Sequence, residues 1–423
     1  MTERVFLPGD IMLPKGADLE LWSVIACDQF TSEPEYWEAV EARVGDAPST
    51  LRLMLPEAYL GFRDTQAEMK KIEATMEEYL SRGIFQTICN SYIYTERQLS
   101  DGNTRRGLLG ILDLEQYDYR ENACCLVHPT EGIVEDRLPP RIEVRKKARL
   151  EMPHIVVFID DPDCSVIDPI VYSLESPELL YDFDLMDGGG HIMGWYVGGQ
   201  KALDVEKALQ RLADPRVLKE KYHMSDDKPP VVFAVGDGNH SLAAAKLYWE
   251  GLKSTLTDED KENHPARYSM VELVNIHDSS VNFEPIHRVI FGTDSGRFME
   301  EARKFWAKAG EKGERSHSIS LAADSETGDI EASFSTIGEL IEAADRFCGD
   351  YISAFGGRLD YIHGDETALS MALRPGCAGM LLPRMDKKEL FPSIIKNGAF
   401  PRKSFSIGHA RDKRYYLECR LIK

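Results

Sequence analysis

The sequence has no apolar run as long as a membrane span, and its opening residues, Met1-Thr-Glu-Arg-Val-Phe-Leu-Pro8, lack the basic stretch and apolar core of a secretory leader. None of its eight cysteines stands in a Cys-x-x-Cys pair or at the spacing of a metal site; they lie at positions 27, 89, 124, 125, 164, 348, 377 and 419. We therefore expect reduced thiols and a cytoplasmic protein, and we assign no metal-ligating residues.

Basic residues are scarce relative to acidic ones. Lysine and arginine number 50 against 71 aspartates and glutamates, which gives a formal net charge of -21 at pH 7. A surface this acidic repels the phosphates of DNA, RNA and anionic lipids, so we expect neither a nucleic acid nor a membrane partner. The 423 residues suffice for two or three packed units, and nothing in the composition indicates an oligomeric state.

Two familiar nucleotide-binding motifs are also missing. The spacing Gly236-x-Gly238-x-x-Ser241 lacks the third glycine of a dinucleotide fingerprint, and no Gly-Lys-Ser/Thr follows it as a P-loop requires. Any phosphate site in this chain must therefore be built in another way.

The chain does contain a strand, a polar loop and a helix in direct succession. The apolar residues 231–235 predict a buried strand, Gly236 and Gly238 permit a sharp turn, and the alanine-rich run that ends before Gly251 predicts a helix. A helix N-terminus presents unpaired backbone N–H groups and a partial positive charge. The 236–241 loop is therefore a candidate site for a phosphate or a carboxylate.

Hydrophobic periodicity predicts an irregular alternation of helices and strands elsewhere. Helices are predicted over 66–82, 137–149, 205–212, 298–309 and 336–348, and strands over 88–96, 107–114, 123–128, 154–160, 268–276, 283–290, 379–382, 404–407 and 415–421. We predict a mixed-sheet α/β or α+β fold, because the alternation suits neither a barrel nor a doubly wound sheet. The polar residues 310–328 mark a domain boundary or a flexible excursion. We predict a main region over 1–295, which carries the loop, and a C-terminal α/β portion over 296–423.

Seven segments, in order, resemble the domain-of-unknown-function family 1015. The central one, Gly236-Asp-Gly-Asn-His-Ser-Leu-Ala-Ala-Ala-Lys246, is similar to the Asp-Gly-His-His-Arg segment of that family. The others are Gly110-Ile-Leu-Asp-Leu114, His128-Pro-Thr130 with Arg141 and Arg145, Leu273-Val-Asn-Ile-His-Asp278, Pro285-Ile-His-Arg288, Leu359-Asp-Tyr-Ile-His363 and Gly398-Ala-Phe-Pro-Arg-Lys-Ser404.

That family resembles the ParB/sulfiredoxin-like superfamily, which includes free-serine kinases, and the resemblance implies a fold of that kind and a loop that binds nucleotide phosphate. This chain departs from the pattern at Asn239, where His is usual, and at Ser241, where Arg is usual. The resemblance therefore implies that another cation reaches the phosphate; the candidates are Arg288, Arg145, Arg141 and Lys403. The absence of a loop cysteine argues against sulfiredoxin chemistry, and the acidic charge argues against a ParB-like DNA role.

The remaining activity of the superfamily is phosphoryl transfer to a small hydroxyl compound such as free serine, with a nucleotide (ATP or ADP) and Mg²⁺. Its candidate catalytic residues here are His240, Asp237 and Asp28, with Glu131 as the alternative base. Candidate phosphate ligands are Gly236, Gly238, Asn239, Ser241, Arg288 and Lys403. Candidate substrate or supporting residues are His128, Thr130, Arg141, Arg145, His287 and His363.

Each of these residues also has a purely structural interpretation. Asp237 and Asn239 are typical turn and helix-cap residues, and His240 is a candidate capping imidazole. The alternative function is that of a non-catalytic ligand-binding or regulatory protein, in which the loop senses an anion. Hydrolysis or nucleic-acid cleavage is a third interpretation, which the acidic composition disfavours.

Overall fold

The computed structural model describes residues 4–120, 123–152, 154–225, 230–309, 313 and 315–423. The chain divides into two compact units. The first comprises Met1–Pro129, Ile133–Val281 and His409–Lys423, and the second comprises Thr130–Gly132 and Asn282–Gly408. His409–Lys423 thus belongs to the first unit, whereas a single boundary at residue 295 assigns every residue after it to the second.

The described strands are numbered in chain order. They are β1 Phe6–Leu7, β2 Gly9–Pro14, β3 Val24–Ile25, β4 Phe85–Gln98, β5 Thr104–Asp113, β6 Val127–Pro129, β7 Leu150–Glu151, β8 Val156–Ile159, β9 Leu179–Asp184, β10 His191–Val197, β11 Phe233–Asp237, β12 Tyr268–Asn275, β13 Phe283–Phe291, β14 Arg315–Ala323, β15 Glu326–Phe334, β16 Arg358–His363, β17 Cys377–Leu381, β18 Phe405–Ile407, β19 Tyr415–Tyr416 and β20 Arg420–Leu421.

The described α-helices are numbered in the same way. They are α1 Leu19–Trp22, α2 Pro34–Val44, α3 Thr65–Ser81, α4 Leu138–Lys147, α5 Asp168–Val171, α6 Gly199–Leu212, α7 Pro215–Tyr222, α8 Asn239–Lys253, α9 Asp258–Asn263, α10 Ser295–Ala309, α11 Ile337–Phe355, α12 Asp365–Ala372 and α13 Leu390–Asn397. Within the described part of the chain, no helix combines the length and apolarity that a membrane crossing requires.

The first unit is built on a ten-stranded sheet. Its order is β6-β11-β8-β12-β5-β4-β10-β9, with β1 on β5 and β2 on β4. Strands β11 and β6 pair in parallel, as do β12 and β8, whereas β11 and β8 are antiparallel. Along β4, Tyr92 and Tyr94 pack in one hydrophobic cluster and Ile93 packs in another. Because side chains alternate along a strand, both faces of the sheet are covered.

The last residues of the chain are held in the first unit by two short antiparallel sheets. Strand β19 pairs with β3, and β20 pairs with β7. The indole N–H of Trp22 donates to the carbonyl of Leu417 at 2.9 Å, and both residues are buried. The C-terminal segment 409–423 is therefore part of the first unit's core.

The second unit has its own six-stranded antiparallel sheet. The order is β15-β14-β17-β13-β16, with β18 on β13. Between α10 and α11, Phe298 packs edge-on against Phe347 and Tyr351. Residues 130–132 join this unit because Phe400 N–H donates to the carbonyl of Thr130 at 2.8 Å.

The mixed α/β prediction is confirmed, and most predicted elements are present. Helix 66–82 is α3, and the hairpin of 88–96 and 107–114 is β4–β5. The predicted strand 415–421 is instead two short strands, β19 and β20. The likeness to a ParB/sulfiredoxin core stays a prediction.

The described part of the polar segment 310–328 belongs mostly to an antiparallel hairpin and is not a flexible excursion. Residues 310–312 and 314 lie outside the described part, but β14 and the start of β15 occupy the rest. Ile319, Leu321 and Ala323 alternate to a buried face, and Asp324 at the turn has a φ of 51°. The polar composition is therefore that of a hairpin with one solvated face.

Candidate functional site

The 236–241 loop lies where β11 passes into α8. The register between β11 and β8 shifts between Val235 and Asp237, so Gly236 lies at a β-bulge. A Cβ atom at Gly236 would stand 2.2 Å from the Phe158 ring, which explains why only glycine fits. Gly238 has a φ of 74° and precedes α8 directly. Asp237 is therefore the last residue of β11 and lies close to the N-terminus of α8.

Asp237 is paired with a lysine from the far end of the chain. Its Oδ2 lies 3.1 Å from Nζ of Lys413, and its Oδ1 accepts from the backbone N–H of Gly238 at 2.9 Å. Both side chains of the ion pair are only partly buried, with 23% and 17% exposed. A cation therefore stands at the loop and is accessible from solvent.

His154 joins the loop to two other segments. Because β8 runs antiparallel to β11, the start of β8 lies beside the end of β11, and His154 lies two residues before that start. Its Nε2 lies 3.2 Å from Oγ of Ser241, and its Nδ1 lies 3.0 Å from the hydroxyl of Tyr416. The imidazole thus links the N-terminal turn of α8 to the C-terminal segment.

Asp28 lies next to this imidazole. Its Oδ2 is 3.9 Å from Nε2 of His154. Burial raises the pKa of the Asp28 carboxyl, but the neighbouring His154 lowers it, as do a hydrogen bond from Gln29 and the charge of Lys413, so that it lies below its usual value. Asp28 is therefore an anion at neutral pH, close to His154 and stabilised by the positive charge of Lys413.

The pairing of β3 with β19 explains how residues so distant in sequence meet. Asp28 follows β3 and Lys413 precedes β19, and antiparallel pairing places these two positions at the same end. Together, Asp237, Ser241, His154, Asp28 and Lys413 form what we call the loop cluster. All five belong to the first unit.

Two loop residues hold the turn in place. The amide of buried Asn239 donates to the carbonyl of Val235 at 3.1 Å. Nε2 of His240 accepts the backbone N–H of Val134 at 3.1 Å, so the neutral ring carries its proton on Nδ1. The helix cap itself is Gly238, not Asn239.

The arginines predicted near the loop have carboxylate partners. Arg141 pairs with Glu57. Arg145 Nη1 lies 2.7 Å from Glu151, while its buried Nε and Nη2 have no hydrogen-bond partner among the described residues.

The buried His128 faces backbone. It donates from Nε2 to the carbonyl of Cys125 at 2.8 Å, and burial lowers its pKa. Nε2 of His128, which we predicted to contact substrate, is thus engaged by a backbone carbonyl three residues earlier in the chain.

The remaining predicted residues belong to the second unit and are described within it. Arg288 is buried and binds Asp345 through Nε (2.8 Å) and Nη2 (3.0 Å), while His287 lies 2.9 Å from Asp365. Lys403 and His363 are exposed, and Thr130 pairs with Phe400. Glu131, the alternative base, forms a bridge with Phe400 in the same unit. Arg288 thus serves the second unit's own structure.

Sequence reasoning missed His154, Lys413 and Tyr416. A lone histidine at the start of the predicted apolar strand 154–160 was the available signal for His154. Lys413 and Tyr416 gave none, because their place depends on the pairing of β19 with β3 across the whole chain.

Comparisons with known proteins bear on this site. A family model described as "Protein of unknown function (DUF1015)" matches residues 11–340. Lys413 and Tyr416 lie beyond the matched residues. A search of curated proteins finds no match.

Several solved structures show a weak similarity to this chain. A truncated SbnI from Staphylococcus aureus is 11% identical, with 71% of this chain and 82% of that chain covered and a TM-score of 0.34. A conserved hypothetical protein from Pyrococcus furiosus is 11% identical, with 73% and 90% covered and a TM-score of 0.32. A free serine kinase in complex with AMP is 12% identical, with 74% and 90% covered and a TM-score of 0.34. These scores are too low to carry an argument about function.

Proposed function

The chain belongs to the family of proteins of unknown function designated DUF1015, and on that premise we propose that it binds a nucleotide or a phosphorylated metabolite at the 236–241 loop. We propose further that it transfers a phosphoryl group to a small hydroxyl compound such as free serine. The alternative is a binding or regulatory protein without turnover. A cytoplasmic location and the absence of a nucleic acid partner stay predictions.

The observation that carries the proposal is the loop cluster. A half-buried turn opens α8, a helix of 15 residues, and a lysine, an imidazole and two carboxylates surround it. The helix N-terminus favours an anion, and Lys413 adds a full positive charge within reach of Asp237. This combination supports recognition of phosphate.

Lys413 supplies the charge that the loop lacks. Ser241 stands where the family resemblance leads us to expect a guanidinium, so the loop itself carries no cation. Lysine binds phosphate as a point charge through charge-assisted hydrogen bonds. On this proposal an incoming phosphate accepts a hydrogen bond from the ammonium of Lys413, which is paired with Asp237 in the structure.

Asp28 is the residue that we assign to the acceptor hydroxyl. Its lowered pKa keeps it ionised at neutral pH, so it accepts a hydrogen bond from the hydroxyl and orients it toward the phosphorus. His154 lies 3.9 Å away and stabilises that negative charge when it is protonated.

The carboxylates of the site also fit Mg²⁺. This ion usually binds through one or two carboxylates together with substrate phosphates and retained water. Asp237 and Asp28 would hold it, and it would neutralise charge on the phosphates. Among the described residues no group of three or more His, Cys, Asp or Glu side chains is arranged to hold a metal. The phosphates of the nucleotide and water would supply its remaining ligands.

Binding is tested by thermal unfolding and calorimetry of the full chain. The ligands are ATP, ADP, AMP, pyrophosphate and phosphoserine, each with and without Mg²⁺. A ligand at a hundred times its Kd should add about 2.7 kcal/mol to the free energy of unfolding. Lys413→Ala should weaken binding roughly 10- to 100-fold, because a hydrogen bond to a charged group is lost. Lys304→Ala, an exposed lysine of α10 in the second unit, is the matched control.

Turnover is tested with ATP and free serine by following phosphoserine. Asp28→Asn should bind nucleotide but form no product. Binding without turnover in the wild type would favour the regulatory alternative, and no response to any ligand would contradict both.

A further inference from the structure

Ser241 has the surroundings of an activated hydroxyl. It is half-buried and occupies the first turn of α8. Its Oγ lies 3.2 Å from Nε2 of His154, which is within the reach of a general base. The other ring nitrogen of His154, Nδ1, lies 3.0 Å from the hydroxyl of Tyr416, so Tyr416 orients the imidazole ring.

The hydrogen bonds around Tyr416 decide which nitrogen of His154 is free. The Tyr416 hydroxyl donates to Sγ of Cys27 at 3.2 Å. Its oxygen then accepts a hydrogen bond from the Nδ1–H of His154, and in this neutral tautomer Nε2 carries the lone pair that faces Ser241. Burial raises the pKa of Cys27 to about 12, and it also raises the pKa of Tyr416, so neither group loses its proton at neutral pH.

We propose that Ser241 is itself a phosphoryl acceptor in this protein, with His154 as its base and a nucleoside triphosphate as the donor. This inference rests on the proposed function, because it needs the nucleotide at the same loop. It goes beyond that function by placing a covalent step on the chain.

The step is a simple displacement. Oγ of Ser241 attacks the γ-phosphorus, a new O–P bond forms, and the bond from that phosphorus to the β,γ-bridging oxygen breaks. The nucleoside diphosphate leaves, and the proton of Ser241 passes to Nε2 of His154. Asp28, 3.9 Å from that nitrogen, stabilises the imidazolium. The product phosphoserine lies in the first turn of α8, where the helix dipole favours its charge.

The experiment uses the full chain with ATP that is labelled in the γ position, in Mg²⁺. Intact-mass and peptide mass spectrometry should show one added phosphoryl group, located on Ser241. Ser241→Ala should take up none. His154→Gln should slow the labelling by about 100-fold or more, because the base is lost. Tyr416→Phe keeps the aromatic ring at position 416 but removes the hydroxyl that orients His154, and this variant should also label more slowly.

The matched control is Ser353→Ala. Ser353 is an exposed helical serine whose Oγ donates to the carbonyl of Gly349 at 2.8 Å, so this hydrogen bond goes to the backbone and not to an imidazole. This variant should label as the wild type does. Circular dichroism establishes that each variant is folded, and Tyr416→Phe replaces His154→Gln as the probe of the base if the latter unfolds.

Calorimetry with a non-hydrolysable ATP analogue separates the two proposals. A wild type that binds the analogue but gains no label, or gains it elsewhere, overturns the acceptor role of Ser241 and leaves the nucleotide site standing. A wild type that binds no nucleotide overturns both.

Discussion

Two glycines of one segment have opposite roles at the scale of single residues. Gly238 has a φ of 74°, and a Cβ atom there would lie 2.9 Å from Cγ1 of Ile155. Gly251 lies inside α8, is exposed, and would have no heavy atom within 4 Å of an added Cβ. The positive φ at position 238 requires glycine, whereas the helical backbone at position 251 accepts any helix-forming residue.

We predict that Gly238→Ala lowers the free energy of unfolding by about 1–2 kcal/mol, because a side chain is strained at positive φ. Gly251→Ala should raise it by about 0.5–1 kcal/mol, since alanine is the better helix former. Urea unfolding of both variants measures the difference. Equal effects of the two substitutions would contradict the assigned conformation of the loop.

The candidate site was predictable from sequence only in its local part. The glycines and Asp237 at the start of a helix form a contiguous pattern, so the loop was found. Lys413 was not, because no local periodicity reveals that residue 413 lies beside residue 237. Asp28 was chosen because it lies in the loop after an apolar run and because of the family resemblance, and the structure places it 3.9 Å from His154.

At the scale of elements, β12 and the C-terminal segment are joined by a buried ion pair. Oε2 of Glu272 lies 2.9 Å from Nη1 of Arg414, and Arg105 stands 3.6 Å away. Burial raises the pKa of Glu272, but these arginines lower it to about 2. The pair therefore ties the segment that carries Lys413 to the main sheet.

This pair predicts an acid-dependent loss of stability. The unfolded chain binds the proton of Glu272 near pH 4.5 and the folded chain near pH 2. The contribution, about 3 kcal/mol, is complete above pH 4.5 and is lost as the pH falls toward 2. Glu272→Gln should destabilise the protein at pH 7 and flatten its stability curve below pH 4.5. Chemical unfolding across pH, with the exposed Glu366→Gln as control, measures this, and an unchanged slope would contradict it.

Elements were predicted well where periodicity is long, and their ends less well. The amphipathic α3 was found because Met69, Ile72 and Met76 share one face. Helix α8 was expected to end before Gly251, yet it continues to Lys253, because one exposed glycine lowers helix stability without ending the helix. Strands β19 and β20 have two residues each, too short for any periodicity.

At the scale of the whole molecule, the second unit is almost continuous in sequence. It has its own sheet and its own aromatic cluster, and it takes only Thr130–Gly132 from elsewhere in the chain. Its Arg288 is buried and paired with Asp345 inside the same unit.

We predict that the separate polypeptide 282–408 folds cooperatively, since its six-stranded sheet and its aromatic cluster are built from its own residues. Urea unfolding followed by circular dichroism should give one transition with an m-value of roughly 1–3 kcal/mol/M. Arg288→Ala should lower the midpoint of this transition, because it removes a fully buried side chain and the hydrogen bonds that this side chain donates to Asp345. A broad, non-cooperative transition in the unmodified fragment would be the contrary result.

The return of residues 409–423 to the first unit sets an order in time. A ribosome makes the glycine loop long before it makes Lys413 and Tyr416, so a nascent chain carries the turn without its cation and without the partner of His154. If the proposed nucleotide site is correct, nucleotide binding cannot assist the early folding of this loop. The proposed ligand site would then be complete only after residues 415–416, among the last to be made, have paired with residues 24–25, among the first.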